Sequence, residues 1–213
     1  MRSSNRESGN RLGIDRRLEG LNANSMNEIG LFYGSTDGHT AEIAERIQCE
    51  FAATGLATVV LFDVAEFYLD EMLSFDRLIF GIPTWNTGQL QRDWEAVFDE
   101  FDTLDFTGKT VALFGLGDQI GYANTFADAL FFIAEKCKER GAQLAGTWPT
   151  IGYDYTQSWA EVGDQFIGLV LDEENQPQLT ELRIRVWVQQ LLVEFGLVGK
   201  NSDGANSDGE VSE

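Results

Sequence analysis

"IGLFYGSTDGHTAEIAERI", residues 29–47, decides the reading of the chain. An apolar run ends at Tyr33, a short loop of glycine and hydroxyl residues follows, and a helical pattern begins near Thr40. Strand, tight loop and helix in that order form a βα unit. The helix N-terminus then offers unpaired backbone N–H groups to an anion. The loop lacks the Gly-Lys-Ser/Thr of a nucleotide triphosphate site and the G-x-G-x-x-G of a dinucleotide fold. It has no Lys or Arg and it contains a carboxylate, Asp37. What it offers is the hydroxyls of Ser35, Thr36 and Thr40, with Gly38 and His39 beside them. Neutral donors of that kind suit one terminal phosphate whose charge stays uncompensated. The same residues also read as an ordinary capped turn.

Outward from this unit, strand and helix signals alternate. Apolar runs at 28–33, 57–62, 77–82, 110–115 and 142–148 predict strands. Several are continuously apolar, as strands of a parallel sheet covered on both faces are. Leu90, Trp94, Val97, Phe98 and Phe101 recur at helical spacing, as do Ile184, Trp187, Val188, Leu191 and Phe195. Gly141 and Gly196 stand where helix C-terminal caps are expected. The pattern predicts an α/β domain with a doubly wound, five-stranded parallel sheet. A connection of about 30 residues after Trp148 is too long for an ordinary loop. It contains an apolar alternating run, 166–171, and reads as a hairpin-like insertion in the fifth strand unit. In strand order 2-1-3-4-5, strands 1, 3 and 4 are neighbours. The loops at 34–40, 83–90 and 115–122 then converge at the carboxyl ends of the strands, where such sheets bind ligands.

The totals exclude several functions. The chain has 213 residues and a net charge of −20. Residues 1–27 carry +2 and residues 200–213 carry −3, so the intervening domain holds −19. Such a charge argues against nucleic acid and anionic membranes and favours basic partners. No run approaches the roughly 18 apolar residues of a membrane span. Cys49 and Cys137 have no metal or redox spacing and read as buried free thiols, which points to a reducing compartment. Residues 1–27 read as a disordered extension without a secretory signal, 28–197 as the folded domain, and 198–213 as a disordered acidic tail.

The second and third loops each carry an aromatic residue off the helical stripes, Trp85 and Tyr122. Two planes on neighbouring loops can clamp a flat ring, although each alone also reads as a surface aromatic. Asp118 and nearby backbone N–H groups could read the ring's polar edge. At this point the chain resembles a long-chain flavodoxin of the cyanobacterial and algal kind. The resemblance runs from about residue 28 to 197. It is carried by "YGSTDGHT", "PTWNTGQLQRDWE", "DFTGK", "GLGDQIGYANTFADA", "GYDY", "FIGLVLDEENQ" and "LTELRIRVW". It implies one non-covalent FMN. The phosphate is expected at Ser35, Thr36, Asp37, Gly38, His39 and Thr40. The isoalloxazine is expected between Trp85 and Tyr122, beside Thr84, Asn86, Thr87 and Gly88, with Gly115, Leu116, Gly117 and Asp118 near its pyrimidine edge. The Asn86–Thr87 peptide matches the one that turns on reduction in this family. Two residues depart from the pattern. Asp37 replaces a usual Thr, so it either repels the phosphate or turns away to cap the helix. Leu116 replaces a usual small hydroxyl residue.

The function implied is a low-potential one-electron carrier cycling between flavin semiquinone and hydroquinone, not an enzyme. A negative domain disfavours the anion formed in the second reduction. One charge at about 10 Å is worth roughly 0.4 kcal/mol in water. A few such terms reach on the order of 1–3 kcal/mol, where about 1.4 kcal/mol corresponds to about 59 mV. The resemblance implies a ferredoxin–NADP reductase, photosystem I or a nitrogenase-type system as partner. A cytoplasmic monomer is expected. A flavin reductase would need a second nucleotide site, and a receiver domain would need acidic residues where Tyr33-Gly34-Ser35 and Pro83-Thr84-Trp85 stand. A relative that has lost its cofactor through Asp37 and Leu116 would bind no flavin.

Overall fold

The computed structural model describes residues 27–198. Apart from Asn27 and Val198, the segments expected to be disordered lie outside the described residues. The central sheet contains β1 (Glu28–Tyr33), β2 (Thr58–Asp63), β3 (Arg77–Trp85), the two-residue β4 (Gln89–Leu90) and β5 (Thr110–Leu116). It is completed by β6 (Gln143–Ala145) and β10 (Leu169–Leu171). β1 lies between β2 and β3, all parallel, with Leu31 opposite Leu61 on one side and Ile79 on the other. β5 continues the sheet beyond β3, with Leu78 opposite Val111.

Alternate residues of these strands enter opposite cores. Ile29, Leu31, Ile79, Ala112 and Phe114 pack with Ile43, Ile47 and Phe51 of α1 (His39–Thr54) and with Ile184, Trp187, Val188 and Leu191. The last four belong to α4 (Thr180–Glu194). Phe32, Leu78, Phe80, Val111 and Leu113 face the other core, with Trp94 of α2 (Arg92–Val97) and Leu130 and Ile133 of α3 (Ala129–Glu139). This two-sided burial is why the strands read as continuous apolar runs. Gly141 and Gly196 do follow helices in the left-handed region, at φ 91 and 68. The helical stripe from Leu90 to Phe101 is only partly α-helical. After Val97 it tightens to a 3₁₀ turn over Phe98–Thr103.

The fifth strand differs from the expectation. It is split into β6 and β10, which pair in tandem with β5: Ala112 opposite Ala145, and Phe114 opposite Leu169. The chain leaves the sheet at Gly146, at φ 78, where a Cβ would meet the Trp187 indole at 2.8 Å. It rejoins through Gly168, where a Cβ would lie 2.3 Å from the Leu113 carbonyl oxygen. Thus 142–148 is not one strand, and the second half of the 166–171 run, Leu169–Leu171, is core sheet rather than insertion. The insertion forms its own antiparallel sheet from β7 (Trp148–Pro149), β8 (Glu161–Val162) and β9 (Gln165–Phe166). Phe126, Tyr153, Tyr155 and Phe166 join it to the domain. Cys137 is buried as expected, but Cys49 is exposed, because it lies off the Ile43–Ile47–Phe51 stripe of α1. Among the described residues no helix is long and apolar enough to cross a membrane.

Candidate functional site

The carboxyl ends of β1, β3 and β5 are neighbours, and the loops after them meet in one cleft. Ser35, Thr36, Asp37, His39 and Thr40 line it from the first loop. Thr84 and Trp85 come from the second, and Leu116, Gly117, Asp118 and Tyr122 from the third. Pro83, Glu173 and Glu174 line it as well. Five expected residues do not. Gly38 is the N-cap of α1, in the left-handed region. Asn86, Thr87 and Gly88 form the turn between β3 and β4. Gly115 is inside the sheet, opposite Ile82 and Val170, where a Cβ would meet Leu130 at 2.9 Å.

The first loop is held from behind. Gly34 packs so closely on α2 that a Cβ would lie 2.3 Å from Gln91 Oε1 and 2.6 Å from Trp94. Gln91, fully buried, caps α2 by accepting from the N–H groups of Asp93 and Trp94. Its Nε2 donates to Thr36 Oγ1 at 3.0 Å. Ser35 Oγ accepts from the Ala41 N–H at 3.3 Å. Both hydroxyls therefore act as acceptors toward the protein and keep their own protons for another acceptor. The N–H groups of Thr36 to His39 find no acceptor among the described residues. The N-cap residue of α1 is Gly38, so the cap position supplies no side-chain acceptor, and Ser35 Oγ meets a first-turn donor instead. Asp37 makes no capping bond, so the capping role considered for it is not realised: Gly38 occupies the cap position, and Asp37 is exposed on the cleft.

Trp85 is half-buried and Tyr122 is 49% exposed, and neither makes a ring contact with another aromatic among the described residues. Their faces are open to a flat ligand. The Trp85 loop is a three-residue hairpin turn with Asn86 at φ 48 and Gly88 at φ 87. Non-glycine residues adopt such angles rarely, and Asn is among the few that tolerate them. The Asn86 amide is anchored on Gln89 Oε1 at 2.8 Å.

The Tyr122 loop rests on residues the sequence reading missed. Asp172, at the end of β10, is fully buried. Its carboxylate accepts from Gln119 N (3.0 Å) and Nε2 (2.7 Å), from the N–H groups of Glu174 and Asn175, and from the Asn175 amide. Asn175 also donates to Asp118 Oδ1 at 2.8 Å. Asp118 Oδ1 further accepts from Ile120 N and Gly121 N, at 3.1 and 2.7 Å. Asp118 thus organises its own turn. The signal in the sequence was "LDEEN" after an apolar run, legible only if that run is a sheet strand.

The family model described as Flavodoxin matches residues 31–187. The chain belongs to the flavodoxin family. It is 51% identical to a Picosynechococcus flavodoxin over 172 residues, covering 81% of this chain and all of that one. It is 49% identical to the Synechococcus elongatus flavodoxin, again over 81% of this chain and the whole relative. Among solved structures, a Fusobacterium nucleatum flavodoxin bound to flavin mononucleotide superposes with a TM-score of 0.74. It is 31% identical and covers 78% of this chain and 98% of that one. The parallel sheet and the long insertion are those of a long-chain flavodoxin.

Within this flavodoxin fold the Asp118 turn is expected to be acid-sensitive. The Gly121 N–H, then the Asn175 amide and the Ile120 N–H, hold its carboxyl below the usual carboxylate range. A carboxyl depressed in the folded state adds stability above its unfolded value, and that stability is lost as pH falls through the folded value. The ligand-free chain should therefore lose thermal stability below about pH 4, where free Asp titrates. Asp118→Asn should flatten that dependence. Equal acid sensitivity in wild type and variant, in melts from pH 3 to 7, would assign the loss to other carboxylates.

Proposed function

We propose that the cleft holds FMN with its phosphate on residues 35–40 and its ring between Trp85 and Tyr122. The protein is an FMN-based electron carrier, not an enzyme. When bound, FMN supplies the chemistry, accepting and releasing single electrons. The observation that carries the site assignment is the donor set of the first loop. Two hydroxyls are oriented by protein donors, beside a run of unpaired N–H groups at a helix N-terminus. This set fits a phosphomonoester. The polar edge of the ring is assigned to Asp118, whose own N–H has no acceptor among the described residues, whereas the other N–H groups of 117–122 are bonded within the protein.

The residues of the chain set the potential by charge. Asp37, Asp118, Glu173 and Glu174 line the cleft, and among the described residues no Lys or Arg does. Negative charge added to a bound ligand is opposed by these carboxylates, which makes the final reduction costly and the reduced carrier a strong donor. The acidic domain supports docking on basic redox proteins. Those of a ferredoxin–NADP reductase, photosystem I or a nitrogenase system are the partners we infer, for a monomer working in the cytoplasm.

The test is an FMN titration of the purified chain, followed by stepwise photoreduction. The expected result is a bound-flavin spectrum and two separate one-electron midpoint potentials, the second the lower. A chain that binds no FMN, or is reduced in a single two-electron wave, would overturn the reading. Asp37→Thr probes the loop itself. One charge at roughly 6 Å in water is worth about 0.7 kcal/mol, so FMN should bind about threefold tighter or more. An unchanged or weaker affinity would mean that Asp37 does not face the phosphate.

A further inference from the structure

A second depression, of about 580 Å³, begins where the cleft ends: Thr84 and Trp85 face the cleft, whereas Thr87 and Gly88 line the depression. Its apolar lining includes Phe98, Phe132 and Trp159. Trp159 is 50% exposed and packs edge-on against Phe132. Among the described residues, the ionisable ones lining it are Glu95 and Asp128, and no Lys or Arg lines it.

Asp128 is the unusual one. It is 3% exposed, yet it does not cap the helix it precedes. Its Oδ1 accepts from the Trp159 N–H at 2.7 Å. Its Oδ2 faces the turn, 2.9 Å from where a Cβ on Gly88 would sit, and no donor among the described residues reaches it. Burial pushes this carboxyl up, with the single Trp159 N–H opposing the shift. Among the described residues the cation seated over one of these rings is Lys136, whose Nζ stands 4.8 Å over Phe98 and is bonded to Asp102 at 2.6 Å. A part-buried carboxylate with one hydrogen bond and no counter-charge among the described residues costs the fold stability. A carboxylate on the floor of an aromatic-walled depression is, however, the complement of a guanidinium, which pairs with oxygen and stacks on aromatic faces.

We propose that this depression is the socket for an arginine on a basic loop of the redox partner, its guanidinium paired with Asp128 and stacked against Trp159 and Phe132. The proposal rests on the electron-carrier reading. The socket borders the turn that follows Trp85, so a seated arginine fixes the partner beside the cleft. Docking there is a charge match between an acidic chain and a basic loop, made specific by one buried pair.

The test uses the full chain loaded with FMN and two probes, N-acetyl-arginine amide and its neutral isostere N-acetyl-citrulline amide. NMR would follow the Asp128 carboxyl carbon and the Trp159 indole. Arginine should shift both saturably and lower the pH at which Asp128 titrates, while citrulline should do neither. Asp128→Asn keeps an acceptor for the Trp159 N–H and should weaken arginine about tenfold. Trp159→Leu removes the stack, keeps the charge and should weaken it about fivefold. Asp128→Asn should also melt no lower than wild type at pH 7, since it removes an unpaired buried charge. Equal responses to both probes, unchanged affinity in Asp128→Asn, or a marked loss of stability in it would overturn the socket. The FMN titration of the same samples separates the two readings. FMN bound without an arginine response sinks the socket alone, and failure to bind FMN sinks the carrier reading.

Discussion

Asp172→Ala is expected to lower the unfolding free energy by roughly 3–5 kcal/mol and to weaken FMN binding at least about tenfold. Asp172 touches none of the residues expected to contact the phosphate or stack on the ring. It is fully buried at the end of β10 and draws the donors of Gln119, Glu174 and Asn175 onto one carboxylate. Removing it leaves both Gln119 donors buried without their acceptor, while the exposed Glu174 and Asn175 lose their tether. The Tyr122 loop then loses its anchor on both sides, since Asn175 also holds Asp118 and Gln119 also accepts from Asp154 N at 2.6 Å. Asp172→Asn should fall between wild type and alanine, because an amide returns one acceptor but sets an NH₂ against N–H donors. Urea unfolding of the ligand-free chain and an FMN titration measure the two effects. A stable Asp172→Ala chain with normal affinity would mean that the loop is held by its own turn alone.

Tyr122→Ala is expected to raise the FMN dissociation constant by about 10- to 100-fold, with little change in the stability of the ligand-free chain. Stacking of a flat ring on an aromatic side chain contributes about 1–3 kcal/mol by alanine substitution. Tyr122 is 49% exposed and stacks on no other ring among the described residues, so little packing is lost with it. Trp85→Ala should weaken binding to a comparable degree but also loosen the hairpin, where Trp85 pairs with Gln89 across the Asn86–Gly88 turn. Quenching of flavin fluorescence on titration reads both constants. Tyr122→Ala with wild-type affinity would return Tyr122 to the status of a surface ring and move the ring site elsewhere. A double variant should lose more than either single one, but less than the sum if the two rings hold one ligand face to face.

The sequence by itself determined the fold class and which residues the three loops bring to the strand ends. Both are local or periodic properties. Two-sided burial writes continuous apolar strands, a βα turn writes glycine and hydroxyl residues, and a ring clamp writes aromatics where no helical stripe requires them. That is why Ser35, Thr36, Thr40, Trp85, Asp118 and Tyr122 are legible in the sequence, and the structure brings them to one cleft. Tertiary structure alone decided the rest. Whether 166–171 belonged to the insertion or to the sheet depended on Gly168 passing within van der Waals contact of Leu113, a contact between residues 55 positions apart. Once β10 stands beside β5, Asp172 arrives behind the Tyr122 loop and Glu173 and Glu174 arrive in the cleft. The same holds for Asp128, which stands at the N-cap position of α3 but turns its side chain toward Trp159 and Gly88. Asp37, suited by type to a cap, does not form one because Gly38 takes the left-handed position ahead of the helix. Residue type and spacing fix which groups are near in the chain. Which buried carboxylate faces which N–H is settled by packing between distant segments, and no periodicity in the sequence records it.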